Sequence, residues 1–332
     1  MNVRIGSFLI EVGSTRLHSM SNPPWLPVFR VFCCVLLGAS LPAPAAAQEA
    51  GMQTRTQLVL GRVSDDPRRD AERLQPMLDY VIPRMRSVGI REGRILMARD
   101  AIAMQSYLRR RRVDWVSDSA AMGIDYRRRA GATLLLATER GGALGYRTVF
   151  LTWKGSGINR LDDLRGRSIA FQNAYSTSSY VTPAAELLRA GMKLDILLSP
   201  LDHAAPGRAG YLFARSEGNV VAWVRKRLVD AGAFSDLDWQ RERPETLDID
   251  DLFVFHQTPE MPRAVEVVAP MLAPAVRARL REVLLAAGDD PDAREALERF
   301  FATRRFVPID AAFEAGLMRV QADLDLVREH LE

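Results

Sequence analysis

Cysteine is nearly absent from this chain of 332 residues, which has only Cys33 and Cys34. Both lie at the start of a short apolar run, residues 31–41. The sequence after this run has no cysteine, which excludes a disulfide framework, a thiolate metal site and a cysteine nucleophile there. A cysteine that carries a lipid anchor would follow the apolar run rather than begin it, so we do not expect a lipoprotein.

Long hydrophobic runs are absent as well, because the run at 31–41 has 11 residues and a membrane span needs about 20. Arg30 precedes the run, and Ala45-Ala46-Ala47 follows it. A basic residue, a short apolar segment and an Ala-x-Ala site in this order are typical of a secretory signal peptide, with a membrane anchor as the alternative. We therefore predict a signal peptide at 1–47, with Met20 as an alternative start, and a mature chain in the periplasm.

Lysine is scarce too, since only three of the 45 basic residues are lysines. Removal of residues 1–47 takes three arginines and one glutamate with it, which lowers the formal charge from +4 to +2. A nearly neutral secreted chain has little attraction for nucleic acid, so no nucleic-acid partner is expected. The arginine run at 109–112 is either a polyanion patch or the solvated end of a helix, and we favour the helix end.

Motifs of catalysis are missing. The mature histidines, His203, His256 and His330, do not have the spacing of a zinc site. Neither Gly-x-Ser-x-Gly nor the P-loop Gly-x-x-x-x-Gly-Lys-Ser/Thr occurs. The sequence thus predicts no catalytic residue, no metal and no cofactor. The alternative is a periplasmic hydrolase in which folding brings His203 or His256 to Ser176.

Apolar segments of strand length alternate with segments of helical spacing. Strands are predicted at residues 58–63, 95–97, 113–116, 133–137, 147–153, 168–171 and 194–198. Helices are predicted after Asp66 (distorted by Pro76 and Pro83), over 101–112, over 183–190, and almost throughout from Pro274 on. This alternation predicts parallel sheets in an α/β fold with two lobes. Ligands of such folds bind at the carboxyl ends of strands, between the lobes.

Three consecutive hydroxyl residues, Ser176-Thr177-Ser178, follow a predicted strand and precede a predicted helix. Hydroxyls and free backbone N–H groups at a helix N-terminus bind an oxyanion without lysine or arginine. A plain serine-rich helix cap is the alternative.

Several collinear stretches resemble a known family. They are RLQPMLDY at 73–80, VDWVSDSAAM at 113–122, GYRTVFLTWKGSGI at 145–158, LDDLRG at 161–166, STS at 176–178, and VDAGA at 229–233 with Asp236. Over nearly the whole mature part, the chain resembles the substrate-binding proteins of phosphate, phosphite and phosphonate ABC importers.

The resemblance implies a two-lobed periplasmic-binding-protein fold, type II-like, with a ligand cleft between the lobes. Residues 48–149 and 252–332, including the C-terminal helices, would form the first lobe, and 150–251 the second. A monomer without enzymatic activity would capture a small oxyanion, phosphonate- or phosphate-like, for an ABC permease. The alternative partner is a membrane sensor kinase.

The resemblance also implies a set of ligand-binding residues. Ser176, Thr177 and Ser178 stand at the family's Ser-Thr-Ser grip on the phosphonate. Five further candidates are assigned by position in or beside the matching stretches: Tyr146, Asp118, Ser119, Glu217 and Asp236.

Some positions depart from the family pattern. Ser179 replaces the usual glycine after the grip, and Ala101 stands where a pocket tyrosine is common. Asp118 replaces a frequent aromatic residue, and Glu217 replaces the usual ligand-contacting histidine. A desolvated carboxylate 4 Å from an oxyanion would repel it by about 4 kcal/mol per charge pair.

Three explanations of Asp118 and Glu217 are open. They lie outside the pocket, they pair with an arginine such as Arg147 or Arg215, or the ligand carries a cationic group. We favour the pairing with arginine slightly.

Overall fold

A computed structural model describes residues 56–242 and 251–331 of the chain. The predicted signal peptide, 1–47, lies outside the described residues. The strands are β1 (Gln57–Val63), β2 (Glu92–Ala98), β3 (Trp115–Ser119), β4 (Thr133–Arg140), β5 (Gly145–Tyr146), β6 (Thr148–Trp153), β7 (Ser168–Phe171), β8 (Lys193–Ile196), β9 (Arg208–Phe213), β10 (Ala231–Ser235), β11 (Leu252–Gln257), β12 (Met261–Pro262), β13 (Ala264–Val268) and β14 (Thr303–Val307). The helices are α1 (Pro67–Arg84), α2 (Ala101–Arg109), α3 (Ala120–Ala130), α4 (Thr182–Arg189), α5 (Glu217–Arg225), α6 (Asp236–Glu242), α7 (Pro274–Ala287), α8 (Arg294–Arg299) and α9 (Ala311–Leu331).

Helix α1 begins as the sequence predicts but is not broken by its prolines. Asp66 caps it by accepting a hydrogen bond from the Arg69 N–H at 3.2 Å, and Pro67 occupies the first turn. The helix continues through Pro76 and Pro83. Each proline removes one hydrogen bond, but the apolar face of the helix is buried in the core and holds it in place.

The first sheet has six strands in the order β14-β4-β13-β3-β1-β2. Strands β1, β2 and β3 pair in parallel, whereas β13 is antiparallel to both β3 and β4, and β14 is antiparallel to β4. The sheet is therefore mixed, whereas the alternation of strands and helices predicts a parallel one. Strand β14 also interrupts the C-terminal region that we predicted to be almost wholly helical. Both corrections have one cause, because the chain returns to the first sheet after the second one. Strand β13 inserts between β3 and β4, and β14 adds to the edge beside β4.

The second sheet has the order β11-β6-β10-β7-β9-β8. Its strands β7, β8, β9 and β10 are parallel to their neighbours within that group, while β6 is antiparallel to β10 and β11. The sheet thus takes its strands from residues 148–257, including β11, which the sequence-based division at 251/252 places in the first lobe. Strand β11 belongs to the second sheet because it pairs with β6.

Two short connections join the sheets. The chain leaves the first sheet through β5 and returns through β12, and these strands pair antiparallel, with Met261 opposite Tyr146. Helix α9 packs against α3, beside the first sheet, and α4, beside the second. The two-lobed α/β fold predicted from the sequence is confirmed, and the paired connections place the carboxyl ends of strands from both sheets on a common cavity.

Candidate functional site

A cavity of about 290 Å³ lies where strand ends of the two sheets meet. On the side of the first sheet, its lining comes from the ends of β1, β3 and β4. On the opposite side, it comes from the loop after β7 and from the helices α5 and α6 that follow β9 and β10. Ligand sites of α/β folds occupy such positions. The residues that line it are Arg62, Val63, Ser64, Asp65, Asp70, Asp118, Ser119, Arg140, Tyr146, Gln172, Asn173, Tyr175, Ser176, Ser178, Glu217, Asp238 and Arg263.

Residues 176–178, the serine turn, begin a helical segment after β7. Ser176 caps it, since its hydroxyl oxygen accepts the Ser179 N–H at 3.0 Å. The N–H groups of Thr177 and Ser178 lie at the start of the segment, where no carbonyl of the same helix can accept them. The hydroxyls of Ser176 and Ser178 lie on residues that line the cavity. The turn thus presents N–H and O–H donors to the cavity from the side of the second sheet.

Ser179, which stands at the family's usual glycine, has a structural role. Its side chain is buried, accepts the Gln172 N–H at 2.8 Å and donates to the carbonyl of Ala233. The backbone at Ser179 has φ −118°, which does not require glycine. The hydroxyl therefore ties the turn to β10 instead of reaching the cavity.

Thr177 does not line the cavity, although the sequence assigns it to the ligand. Its side chain is fully buried, and its hydroxyl oxygen accepts the N–H of Ala121, at the start of α3, at 3.0 Å. A second bond joins the same elements, because the Ser119 hydroxyl donates to the carbonyl of Tyr175 at 3.2 Å. These bonds connect the serine turn to the first lobe, so Thr177 acts as a contact between lobes.

Replacing Thr177 with valine is therefore expected to destabilise the protein. Valine keeps the volume but leaves the buried Ala121 N–H without its acceptor, which costs about 1–3 kcal/mol. Denaturant unfolding of Thr177→Val beside Thr133→Val, at an exposed position of β4, measures the loss. Equal stability of both variants and the parent would show that the contact contributes nothing.

Tyr146, Asp118 and Ser119 lie where strands end at the cavity. Burial raises the pKa of Tyr146, while hydrogen bonding to Ser178 and the charge of Arg263 lower it. Asp118 accepts the Tyr126 hydroxyl at 2.9 Å and the Ser119 N–H at 2.8 Å. Asp118 thus lines the cavity, and both of its carboxylate oxygens accept hydrogen bonds from the protein.

Glu217 also lines the cavity, at the first residue of α5. Asp118 and Glu217 thus both line the cavity, which the first of the three explanations does not expect. Arg147, one of the expected partners, lies 3.7 Å from Glu260 instead.

Asp236 is absent from the cavity lining, and Asp238 takes that place two residues later. The Asp236 carboxylate accepts the Arg147 and Leu237 N–H groups, each at 3.0 Å. These bonds hold the start of α6 against the chain that follows Tyr146. Asp238 pairs with Arg241 at 2.6 Å.

Three arginines of the lining, Arg62, Arg140 and Arg263, were not identified from the sequence. We call them the arginine wall. The predicted strand at 58–63 ends near Arg62, so the rule that sites lie at strand ends could have indicated it. Arg263 follows β12, a strand of two residues that periodicity does not reveal.

A buried carboxylate stands behind the arginine wall. Glu266 on β13 is fully buried and accepts hydrogen bonds from Trp115 Nε1 at 2.6 Å, Ser117 Oγ at 2.5 Å and Thr138 Oγ1 at 2.7 Å. Burial raises its pKa, and the charge of Arg140 lowers it. Burial in turn lowers the pKa of Arg140 to about 10, which the charge of Glu266 opposes.

Within residues 56–242 and 251–331, no group of three or more histidine, cysteine, aspartate or glutamate side chains is arranged to hold a metal ion. None of the helices in this part of the chain combines the length and apolar character that a membrane span requires.

Solved structures of known proteins resemble this one. XAC2383 from Xanthomonas citri, in structures bound to chloride ion and bound to ATP, is 49% and 47% identical, with TM-scores of 0.80 and 0.79. The matches cover 83% and 84% of this chain and 100% of those chains. PhnD1 from Prochlorococcus marinus (MIT 9301), in complex with methylphosphonate, is 19% identical with a TM-score of 0.63, over 82% of this chain and 99% of that one. The latter likeness shows the fold alone.

The family resemblance expected from the sequence is confirmed. The profile of the family described as "ABC transporter, phosphonate, periplasmic substrate-binding protein" matches residues 63–312. Proteins of this family act in the periplasm, bind a small ligand for a membrane permease and are not enzymes. This chain therefore belongs to the periplasmic substrate-binding proteins of phosphonate ABC transporters.

Proposed function

We propose that the chain captures a small ligand with a phosphonate or phosphate group in the cavity between its lobes and presents it to an ABC permease. The observation that carries this proposal is the serine turn, whose Ser176 and Ser178 line the cavity. Tyr146, Asp118, Ser119 and Glu217 would complete the site from the other elements, while Thr177 and Asp236 position it.

The chemistry of the turn suits a tetrahedral oxyanion. The oxygens of such a group accept hydrogen bonds in several directions, and the turn offers hydroxyl and N–H donors around one point. Anions are also favoured at helix N-termini by the helix dipole. Hydrogen bonds to a charged acceptor contribute about 1.5–3 kcal/mol each, so a few of them suffice for capture at micromolar concentrations.

One relative supports a phosphorus-containing ligand, and a protein of the same fold is described with another. PhnD1 is described in complex with methylphosphonate, and XAC2383, nearly half identical to this chain, with ATP. Both ligands carry the tetrahedral phosphorus oxyanion that the serine turn suits.

The carboxylates at the cavity restrict the ligand further. Asp118 and Glu217 repel a bare dianion unless a cation lies beside them. Burial lowers the pKa of Arg140, and the charge of Asp118 opposes that shift, so this carboxylate acts on an arginine other than the two considered from the sequence. Arginine pairing and a cationic group on the ligand stay the two alternatives for these carboxylates.

Binding would proceed by closure of the lobes about the paired strands β5 and β12. Closure buries the ligand and produces the form that a permease distinguishes. The secreted protein would act as a monomer that begins near Gln48 after removal of the signal peptide. A mature N-terminus that still holds residues 1–47 would contradict this processing.

Calorimetry on the purified protein with methylphosphonate, inorganic phosphate and sulfate tests the proposal. We expect binding of the phosphorus oxyanions and, by small-angle scattering, a smaller radius of gyration in their presence. Binding without a change in radius would refute the closing mechanism. Failure of methylphosphonate, phosphate and their esters to bind at all would refute the proposed ligand class.

A further inference from the structure

The arginine wall lines the same cavity as the serine turn, and two of its arginines come from the other sheet. Arg62 comes from β1 and Arg140 from β4, both in the first sheet, whereas the serine turn follows β7 of the second sheet. Arg263 joins them by donating from its guanidinium to the carbonyl of Arg140 at 2.9 Å. Three guanidinium groups therefore converge on a single cavity, each repelling the others.

The fold builds this convergence with some strain. Phe301 has a left-handed backbone conformation, φ +59°, which is unusual for an aromatic residue. Its ring stacks under two guanidiniums, with centroid distances of 4.5 Å to Arg62 Cζ and 4.8 Å to Arg140 Cζ. Arg263 lies over the ring of Tyr146 at 5.6 Å. Aromatic faces that hold arginines in this way fix their orientation at a site.

Arg140 is also short of acceptors. Its side chain is 9% exposed, and within the described residues its buried Nε has no hydrogen-bond partner. A terminal nitrogen donates to Ser117 Oγ at 2.5 Å. A guanidinium has five N–H donors, and buried polar groups without partners are rare in native proteins. An anion at the wall would supply acceptors and relieve the repulsion between arginines.

The lining also holds five carboxylates, Asp65, Asp70, Asp118, Glu217 and Asp238, and two of them are held by groups outside the arginine wall. Asp118 accepts the Tyr126 hydroxyl, and Asp238 pairs with Arg241, which does not line the cavity. Asp70 lies 3.8 Å from Arg62, at the limit of an ion pair. Donors on the wall are therefore left for a ligand.

We propose that the arginine wall is a second anion subsite, so that the ligand spans from it to the serine turn and carries a diphosphate group. This inference rests on the proposed function, whose serine turn binds one of the two phosphoryl groups. The cavity of about 290 Å³ is close to the lower end of the range for larger organic ligands, about 300–1,000 Å³, and exceeds what methylphosphonate needs. A diphosphate bound on both walls would hold the lobes closed.

Calorimetry with four probes tests the subsite: methylphosphonate, inorganic phosphate, inorganic pyrophosphate and ADP. We expect pyrophosphate or ADP to bind at least about tenfold more tightly than methylphosphonate, because a bidentate arginine contact is charge-assisted. The ratio of the pyrophosphate and ADP affinities then shows whether the preferred diphosphate is free or esterified.

Arg263→Gln is the principal variant, since Arg263 is partly exposed and lies outside the Glu266 network. It is expected to weaken pyrophosphate binding about tenfold or more and to change methylphosphonate binding less than about threefold. Arg140→Lys, which keeps the charge beside Glu266 but loses the planar fork, should act in the same direction. Arg279→Gln, on α7 and away from the cavity lining, is the matched control and should change neither affinity.

The failures are distinguishable. Equal affinities of the parent for methylphosphonate, pyrophosphate and ADP, or an equal loss for all of them in Arg263→Gln, would overturn the second subsite and leave the proposed function intact. Absence of binding for every phosphorus compound would overturn the proposed function itself.

Discussion

Replacing Glu266 with glutamine is expected to lower the free energy of unfolding by about 1–3 kcal/mol, because it removes the buried charge that favours the charged form of Arg140 and disturbs a buried hydrogen-bond network. The amide also places a donor where Trp115, Ser117 and Thr138 all donate to the carboxylate. Equilibrium unfolding in urea measures the loss. Glu282→Gln, at a mostly exposed side chain, should change stability by less than about 0.5 kcal/mol.

A double substitution shows whether charge pairing is the cause. Glu266→Leu with Arg140→Met removes both charges together, and buried ion pairs replaced by apolar residues often retain stability. We expect the double variant to be more stable than Glu266→Gln. If it is less stable, the hydrogen bonds of the network and not the two charges hold this part of the first sheet.

Replacing both Ser176 and Ser178 with alanine is expected to weaken methylphosphonate binding about 100-fold to 10,000-fold. Each hydroxyl contributes a hydrogen bond to a charged acceptor, about 1.5–3 kcal/mol or roughly tenfold to a hundredfold in affinity. Calorimetry on the folded variant measures the change. Each single variant should weaken binding by roughly tenfold to a hundredfold, which is half of the change in binding free energy of the double variant.

The control must separate ligand contact from helix capping, because the Ser176 hydroxyl also accepts the Ser179 N–H. Ser156→Ala is suitable, since the Ser156 hydroxyl accepts the Ile158 N–H at 3.1 Å and does not line the cavity. It should lose stability but no affinity. Unchanged affinity in the serine double variant would reduce the turn to a helix cap and refute the proposed role of its hydroxyls.

The elements that the sequence predicts best have local causes. The predicted strand at 168–171 coincides with β7, because four apolar or small residues lie between turn-forming segments. The start of α1 follows from Asp66 and Pro67, which act on their own neighbours. The serine turn belongs to this group too, since a hydroxyl residue before a helix is a cap whatever the rest of the chain does.

The strands that sequence analysis missed or misplaced depend on distant partners. Strand β14 was read as helix, and it exists because it pairs with β4, more than 160 residues earlier. Strand β11 was given to the wrong lobe because only its pairing with β6 shows which sheet it joins. Periodicity within a segment carries no information about that choice.

The same distinction separates the two sides of the cavity. The serine turn and the alternation of strands with helices are properties of short segments, so sequence alone was sufficient to predict them and the family. The signal peptide lies outside the described residues and stays a prediction. The arginine wall and the buried Glu266 behind it are not properties of short segments, and sequence alone did not predict them. Insertion of β13 between β3 and β4 sets Glu266 opposite Ser117, and this register brings the carboxylate to Arg140 from 126 positions away in the chain. Burial there strengthens the electrostatic interaction between the two groups, and neither burial nor register exists until the sheets have formed.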